Sequence, residues 1–168
     1  MIMHNWNKKS GKAYITSGVG YGKTKLAAFD KAELDANIMS TNAIKVTSFV
    51  PPKWKIIKDK TELKKLTDEG AFLPMAYAYE ISNTDKVSAS VIIGTNKDKS
   101  KASIITEHAD IGITKEESLK DSESCLKEAF SFRNWQLDKM EKVATEAEPK
   151  DGLYVCALVA VLFFPDED

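Results

Sequence analysis

The stretch Leu-Tyr-Val-Cys-Ala-Leu-Val-Ala-Val-Leu-Phe-Phe, residues 153–164, constrains the fold more than any other. Apolar side chains stand at nearly every position instead of alternating with polar ones, which is the pattern of a buried strand. Its uninterrupted run, 157–164, is far too short to span a bilayer as a helix. Further strand candidates cover 13–19, 43–50, 53–58, 71–82, 86–95, 101–109 and 136–148, separated by polar turns. Residues 24–38 read as a helix opening at a Thr24 cap. The clearest helix is 114–132, where Thr114 and Glu117 form a capping box and Leu119, Ser122, Leu126, Ala129 and Phe130 share a face. Residues 60–70 read as a short charged helix or a loop. Many strands with two main helices indicate an α+β layered sandwich.

A chain of 168 residues with 43% apolar content suits one domain. Its 24 basic and 25 acidic side chains nearly cancel, and no basic cluster is interleaved with aromatics, so a nucleic-acid surface is not expected. The segment Gly18-Val-Gly-Tyr-Gly-Lys-Thr24 resembles a phosphate-binding loop at first sight. Counting back from Gly22, however, puts Ser17 where the first glycine should stand. The expected reading is a flexible connection whose glycines take positive φ before the helix. The N-terminal residues hold no apolar signal core, which predicts a cytoplasmic protein without a membrane anchor. Cys125 and Cys156 show no metal-ligand pattern and are expected as reduced thiols. With His4 in a frayed terminus and His108 a polar strand-end residue, neither a zinc site nor a Ser-His-Asp triad is expected.

Chemistry concentrates in Ile44-Lys-Val-Thr-Ser-Phe-Val-Pro-Pro-Lys-Trp54. Pro51 biases Val50 toward extended backbone, and both prolines lack a backbone donor. The Thr47–Ser48 peptide is thus held beside a rigid strand end. Alone, the pattern favours a strand stopping at Pro-Pro with Ser48 an ordinary polar residue, since Thr-Ser dipeptides are common in strands.

This stretch resembles the pyruvoyl-dependent arginine decarboxylases, which carry a hydroxyl residue and Ser, two apolar residues, then Pro-Pro. The likeness extends through Leu26–Ile38, Gly70–Ser82, Lys97–Ser100, Ser103–Asp110 and Arg133–Ala144, in register from about residue 13 to 164. It implies a four-layer αββα sandwich, as in the pyruvoyl-dependent histidine and arginine decarboxylases, assembled as homotrimers with active sites between subunits. It also implies a self-made cofactor. The Ser48 hydroxyl would attack the Thr47 carbonyl, and elimination and hydrolysis would leave a pyruvoyl group at position 48, splitting the chain into 1–47 and 48–168. Asn42 matches the amide that assists this step; its alternative role is to cap the turn before the strand. The ketone would form a Schiff base with L-arginine and take up the electrons released with CO2, giving agmatine. Glu107 matches the proton donor, with a strand-end Glu facing water as the alternative. Leu26, Asp30, Glu33 and Asn37 follow helical spacing; Asp30 matches the position that pairs with the guanidinium, with Leu26 and Glu33 beside it. Glu33, Met39 and Thr41 depart from the family pattern, leaving another basic amino acid, or an uncleaved non-catalytic paralogue, as alternatives.

Overall fold

The computed structural model describes residues 10–38 and 40–166, so His4 and Met39 lie outside the described residues. The chain begins with β1 (Gly11–Gly22), α1 (Lys25–Asp35), β2 (Asn42–Lys45), β3 (Phe49–Val50), β4 (Lys55–Ile57) and α2 (Leu63–Leu66). It continues through β5 (Phe72–Ser82), β6 (Val87–Asn96), β7 (Ser103–Ile111), α3 (Lys115–Phe132), β8 (Leu137–Ala147) and β9 (Tyr154–Pro165). Two sheets form: β2-β5-β9-β1-β4 and β3-β7-β6-β8.

The long apolar β9 explains the layering. Its odd residues Val155, Ala157, Val159 and Val161 face the second sheet, where they meet Val87, Ala89, Val91, Ile93 and Ile105. Its even residues Cys156, Leu158, Ala160 and Leu162 face α1 and α2. On the outside of the second sheet, Ile92 and Ile104 pack under Leu126 and Phe130 of α3. Helix, sheet, sheet and helix therefore stack in the αββα order. The capping box at Thr114 and Glu117 is present, and both cysteines are free thiols. Burial, with Glu33 and Glu80 nearby, pushes the Cys156 thiol up to about 12.

The glycines before α1 act differently from expectation. β1 runs through Gly22, and Gly18, Gly20 and Gly22 all lie within its extended backbone; the glycines at positive φ are Gly70, Gly112 and Gly152. A Cβ at Gly18 would enter the backbone of Ala32 and Ala36, and one at Gly20 that of Ala28 and Ala32. These glycines and the buried Ala28, Ala32 and Ala36 bring helix and strand into near backbone contact. Thr24 caps the helix as expected, its hydroxyl accepting from the Ala27 N–H at 3.2 Å. Gly20→Ala should cost roughly 1–3 kcal/mol, because the clash is with backbone that cannot rotate away. Urea denaturation checks this; an unchanged midpoint would show that α1 packs elsewhere.

The expected strand over 43–50 is two strands. β2 pairs in parallel with β5 of the first sheet, and β3 pairs antiparallel with β7 of the second. Residues 46–48 carry the chain between sheets. The polar pair Thr47-Ser48 falls at the crossing, where the pairing partner changes.

Candidate active site

Thr47 and Ser48 lie on this crossing. Phe49 pairs with Ile104, and the Ile105 N–H donates to the Ser48 carbonyl at 2.7 Å, so Ser48 stands opposite Ile105. Opposed residues of a ladder share a face, and Ile105 faces the space between the sheets. Glu107, two residues further on, returns to that face. Ser48 itself lies just before β3, so Glu107 stands two residues along β7 from its hydrogen-bond partner Ile105.

The Thr47 carbonyl accepts from the Phe49 N–H at 3.0 Å. A tight bend centred on Ser48 thus brings a donor to the carbonyl that Ser48 would attack. Asn42 sits elsewhere: its Nδ2 donates to the Gly70 carbonyl at 2.8 Å, and its N–H to that of Ala71 at 2.7 Å. It fastens the start of β2 to the loop before β5. Extended chain separates it from Thr47 by on the order of 15 Å.

Glu107 is half-buried, and burial raises its carboxyl above the ordinary carboxylate range; Lys45 opposes part of that rise. Lys45 closes β2 with its Nζ 4.9 Å from the Tyr77 ring centre. His108 points to the other face of β7, with Nε2 3.7 Å from an Asp121 carboxylate oxygen, and lies within the strand rather than at its end.

The α1 residues form a second cluster on the outside of the first sheet. Leu26, 76% exposed, lines an open cavity of about 510 Å³ with Phe29, Tyr77 and Tyr79. Asp30 is exposed, whereas Glu33 is half-buried. Burial, reinforced by the Asp30 charge, pushes the Glu33 carboxyl up to about 7. Asn37 does not share their face: it leaves the helix at φ 59°, and its Nδ2 donates to the Lys60 carbonyl at 3.0 Å. Thr41 binds the Ile38 carbonyl through its hydroxyl at 3.2 Å. Among the described residues, no hydrogen bond or ion pair joins Asp30 or Glu33 to Ser48 or Glu107.

Sequence reasoning missed Lys45, Tyr77, Tyr79 and the Phe49 N–H. The alternation of Tyr77, Tyr79 and Ile81 along β5 was the available signal for an aromatic face beside α1.

The αββα sandwich, the Thr47–Ser48 crossing between sheets and the half-buried Glu107 agree with a pyruvoyl-dependent decarboxylase. The sequence matches the family described as pyruvoyl-dependent arginine decarboxylase over residues 12–168. It is 34% identical over 146 residues to the pyruvoyl-dependent arginine decarboxylase of Methanocaldococcus jannaschii, covering 86% of this chain and 85% of that one. Against the protein of that name from Methanococcus aeolicus it is 32% identical, covering 95% and 93%. Against that of Pyrococcus abyssi it is 31% identical, covering 92% and 95%. The chain belongs to the pyruvoyl-dependent arginine decarboxylase family.

Proposed function

We propose that this protein decarboxylates L-arginine to agmatine, using a pyruvoyl group made from its own Ser48. The observation that carries this reading is the Ile105 N–H bond to the Ser48 carbonyl, which sets residue 48 two positions from Glu107 along β7 beside a Thr47 carbonyl already holding a hydrogen bond. Attack of the Ser48 hydroxyl on that carbonyl puts negative charge on the Thr47 oxygen, where the Phe49 N–H stabilises it. Asn42 supports processing at a distance, by fixing β2 and hence the crossing. The Ile105 N–H keeps residue 48 in place after the chain parts, because its acceptor belongs to the downstream fragment.

The pyruvoyl group supplies a ketone that takes the substrate amine and draws off the electrons released with CO2. Glu107 holds a proton near that point and delivers it to the substrate Cα. Asp30 receives the guanidinium, with Leu26 against the aliphatic stem and Glu33 as a further carboxylate.

The two clusters lie on opposite sides of the first sheet, which favours assembly, with a family-like homotrimer as the form proposed. Edge strand β2 is exposed along its length; its Ile44 is 45% exposed, and Phe72 beside it on β5 is 73% exposed. Another subunit's α1 cluster brought against this edge would complete the site. A cytoplasmic location belongs to the same reading; among the described residues no helix is long and apolar enough to cross a membrane.

Release of CO2 and amine from arginine, lysine and ornithine tests the substrate. Arginine should be preferred; preference for lysine or ornithine would keep the chemistry and overturn the substrate. Asp30→Asn should lower kcat/KM for arginine by about 100-fold or more, and Glu33→Leu much less. An exposed ion pair contributes about 0–1 kcal/mol. Breaking one enclosed by a neighbouring subunit costs about 3–5 kcal/mol. The size of the Asp30 effect therefore also reports closure of the site. Abolition by Glu33→Leu with Asp30→Asn active would reverse the assignment.

The pH profile separates the two acids. Bound cation favours ionised Glu33, so the KM for arginine should fall as pH rises through about 7. Glu107 must be protonated, so kcat should fall as pH rises through its elevated value. In Glu33→Gln the KM trend should flatten while the kcat limb remains. An unchanged KM trend would remove Glu33 from substrate binding.

A further inference from the structure

A cavity of about 250 Å³ has Pro51 and Ser103 in its wall and shares no residue with either cluster. Its wall carries four lysines from three parts of the fold: Lys53 after the prolines, Lys99 and Lys101 in the β6–β7 turn, and Lys139 on β8. No carboxylate lines it among the described residues. The nearest acids sit outside and answer the lysines only in part: Lys101 is 3.9 Å from Asp98, and Lys139 is 3.6 Å from Glu141, which also binds Lys58 at 2.8 Å. Lys99 pairs with Asp138, and Lys53 has no ion pair among the described residues. Hydrogen bonds from Ser100 hold Asp98 below the ordinary carboxylate range, and one from Lys99 does the same for Asp138.

The same wall contains Asn96, only 3% exposed. Its Oδ1 accepts from the Asp98 N–H at 3.0 Å, which fixes the orientation of the amide. Its Nδ2 is buried without a hydrogen-bond partner. A buried amide N–H left unmet is a cost of about 1–3 kcal/mol unless something accepts from it. Four lysines and an unmet amide donor thus belong to one wall without a carboxylate, where Lys99 also donates to the Asn96 carbonyl at 3.1 Å.

We propose that this cavity is a binding site for a compact phosphoanion. Lysines act as point charges that suit a ligand with several charged oxygens, and they approach from three directions. A lone carboxylate could answer two of them. The phosphate could be free or carried on a nucleotide, and the two sources share this chemistry. The site is unrelated to the glycine segment before α1, where helix backbone fills the space beside the glycines. It also stands independently of the proposed reaction.

Calorimetric titration of the full-length, as-purified protein with pyrophosphate at low salt tests this. Saturable binding is expected at one site per chain, with a rise in melting temperature. Lys53→Gln with Lys101→Gln should weaken it at least about 10-fold, since two of four charges are lost. Asn96→Asp keeps the acceptor for the Asp98 N–H while replacing the free donor with a negative charge, and should abolish binding in a protein that melts normally. Matching ADP and pyrophosphate affinities would assign the site to a free diphosphate, and tighter ADP binding to a nucleotide. Absence of saturable binding would overturn the proposal. So would an equal loss from Lys64→Gln with Lys65→Gln on α2, since that would show attraction to general charge alone.

Discussion

Ser48→Ala should remain one chain of 168 residues and release no CO2 from arginine. The neighbouring hydroxyl cannot stand in for the lost one. Thr47 belongs to the residue whose carbonyl is attacked, so it lies on the wrong side of the peptide bond. The methyl of Ala fits wherever the serine Cβ fits, so the fold should be unchanged and the two-sheet core should melt as before. An amide is a poor target for a neutral hydroxyl. The bend that brings the Phe49 N–H to the Thr47 oxygen, at 3.0 Å, is the local device proposed to make the attack feasible. Two fragments from Ser48→Ala would show cleavage at another bond or by another agent.

Glu107→Gln should retain much of its affinity for arginine and lose turnover by about 100-fold or more, the usual scale for removing a general acid. Gln keeps the shape of the side chain and can still donate a hydrogen bond, but it has no acidic proton to deliver. Burial suits the native carboxyl to proton donation, because it raises the value above the ordinary range while the Lys45 charge restrains the rise. Since Ser48 is bound to Ile105, two residues from Glu107, the substitution could also slow self-processing. Activity must therefore be expressed per processed chain. Near-normal turnover on that basis would remove Glu107 from the mechanism.

Local signals made much of the fold legible. The unbroken apolar β9, the capping box at Thr114 and the polar turns between β5, β6 and β7 each leave a mark within a few residues. The crossing at 46–48 was not legible, because a Thr-Ser pair is common within strands and only the partners, β5 then β7, divide the segment. The glycines of β1 misled for a related reason. Extended glycine and turn glycine look alike in sequence, and the α1 backbone that requires their missing Cβ atoms is brought there by tertiary packing.

The site was legible only in outline. Ser48, Glu107 and Asp30 could be singled out through family likeness. That residue 48 comes within two positions of Glu107 along β7 depends on the β3–β7 register, which is non-local. Lys45 and Tyr77 meet for the same reason, through parallel pairing of β2 with β5. Asn42 shows the limit of transfer by position: its amide binds Gly70 in the protomer, so the part proposed for it in processing is structural support of β2.

The intact mass of the purified protein tests self-processing most directly. Chemistry at Ser48 exchanges the amide for an ester, eliminates the upstream chain as a carboxylate, then gains a water and loses ammonia. Two species, residues 1–47 and 48–168, should therefore sum to about 1 Da more than the uncut chain, against about 18 Da for simple hydrolysis of a peptide bond. A single species at the mass of the uncut chain, or two that sum to the value for simple hydrolysis, would contradict a cofactor made from Ser48.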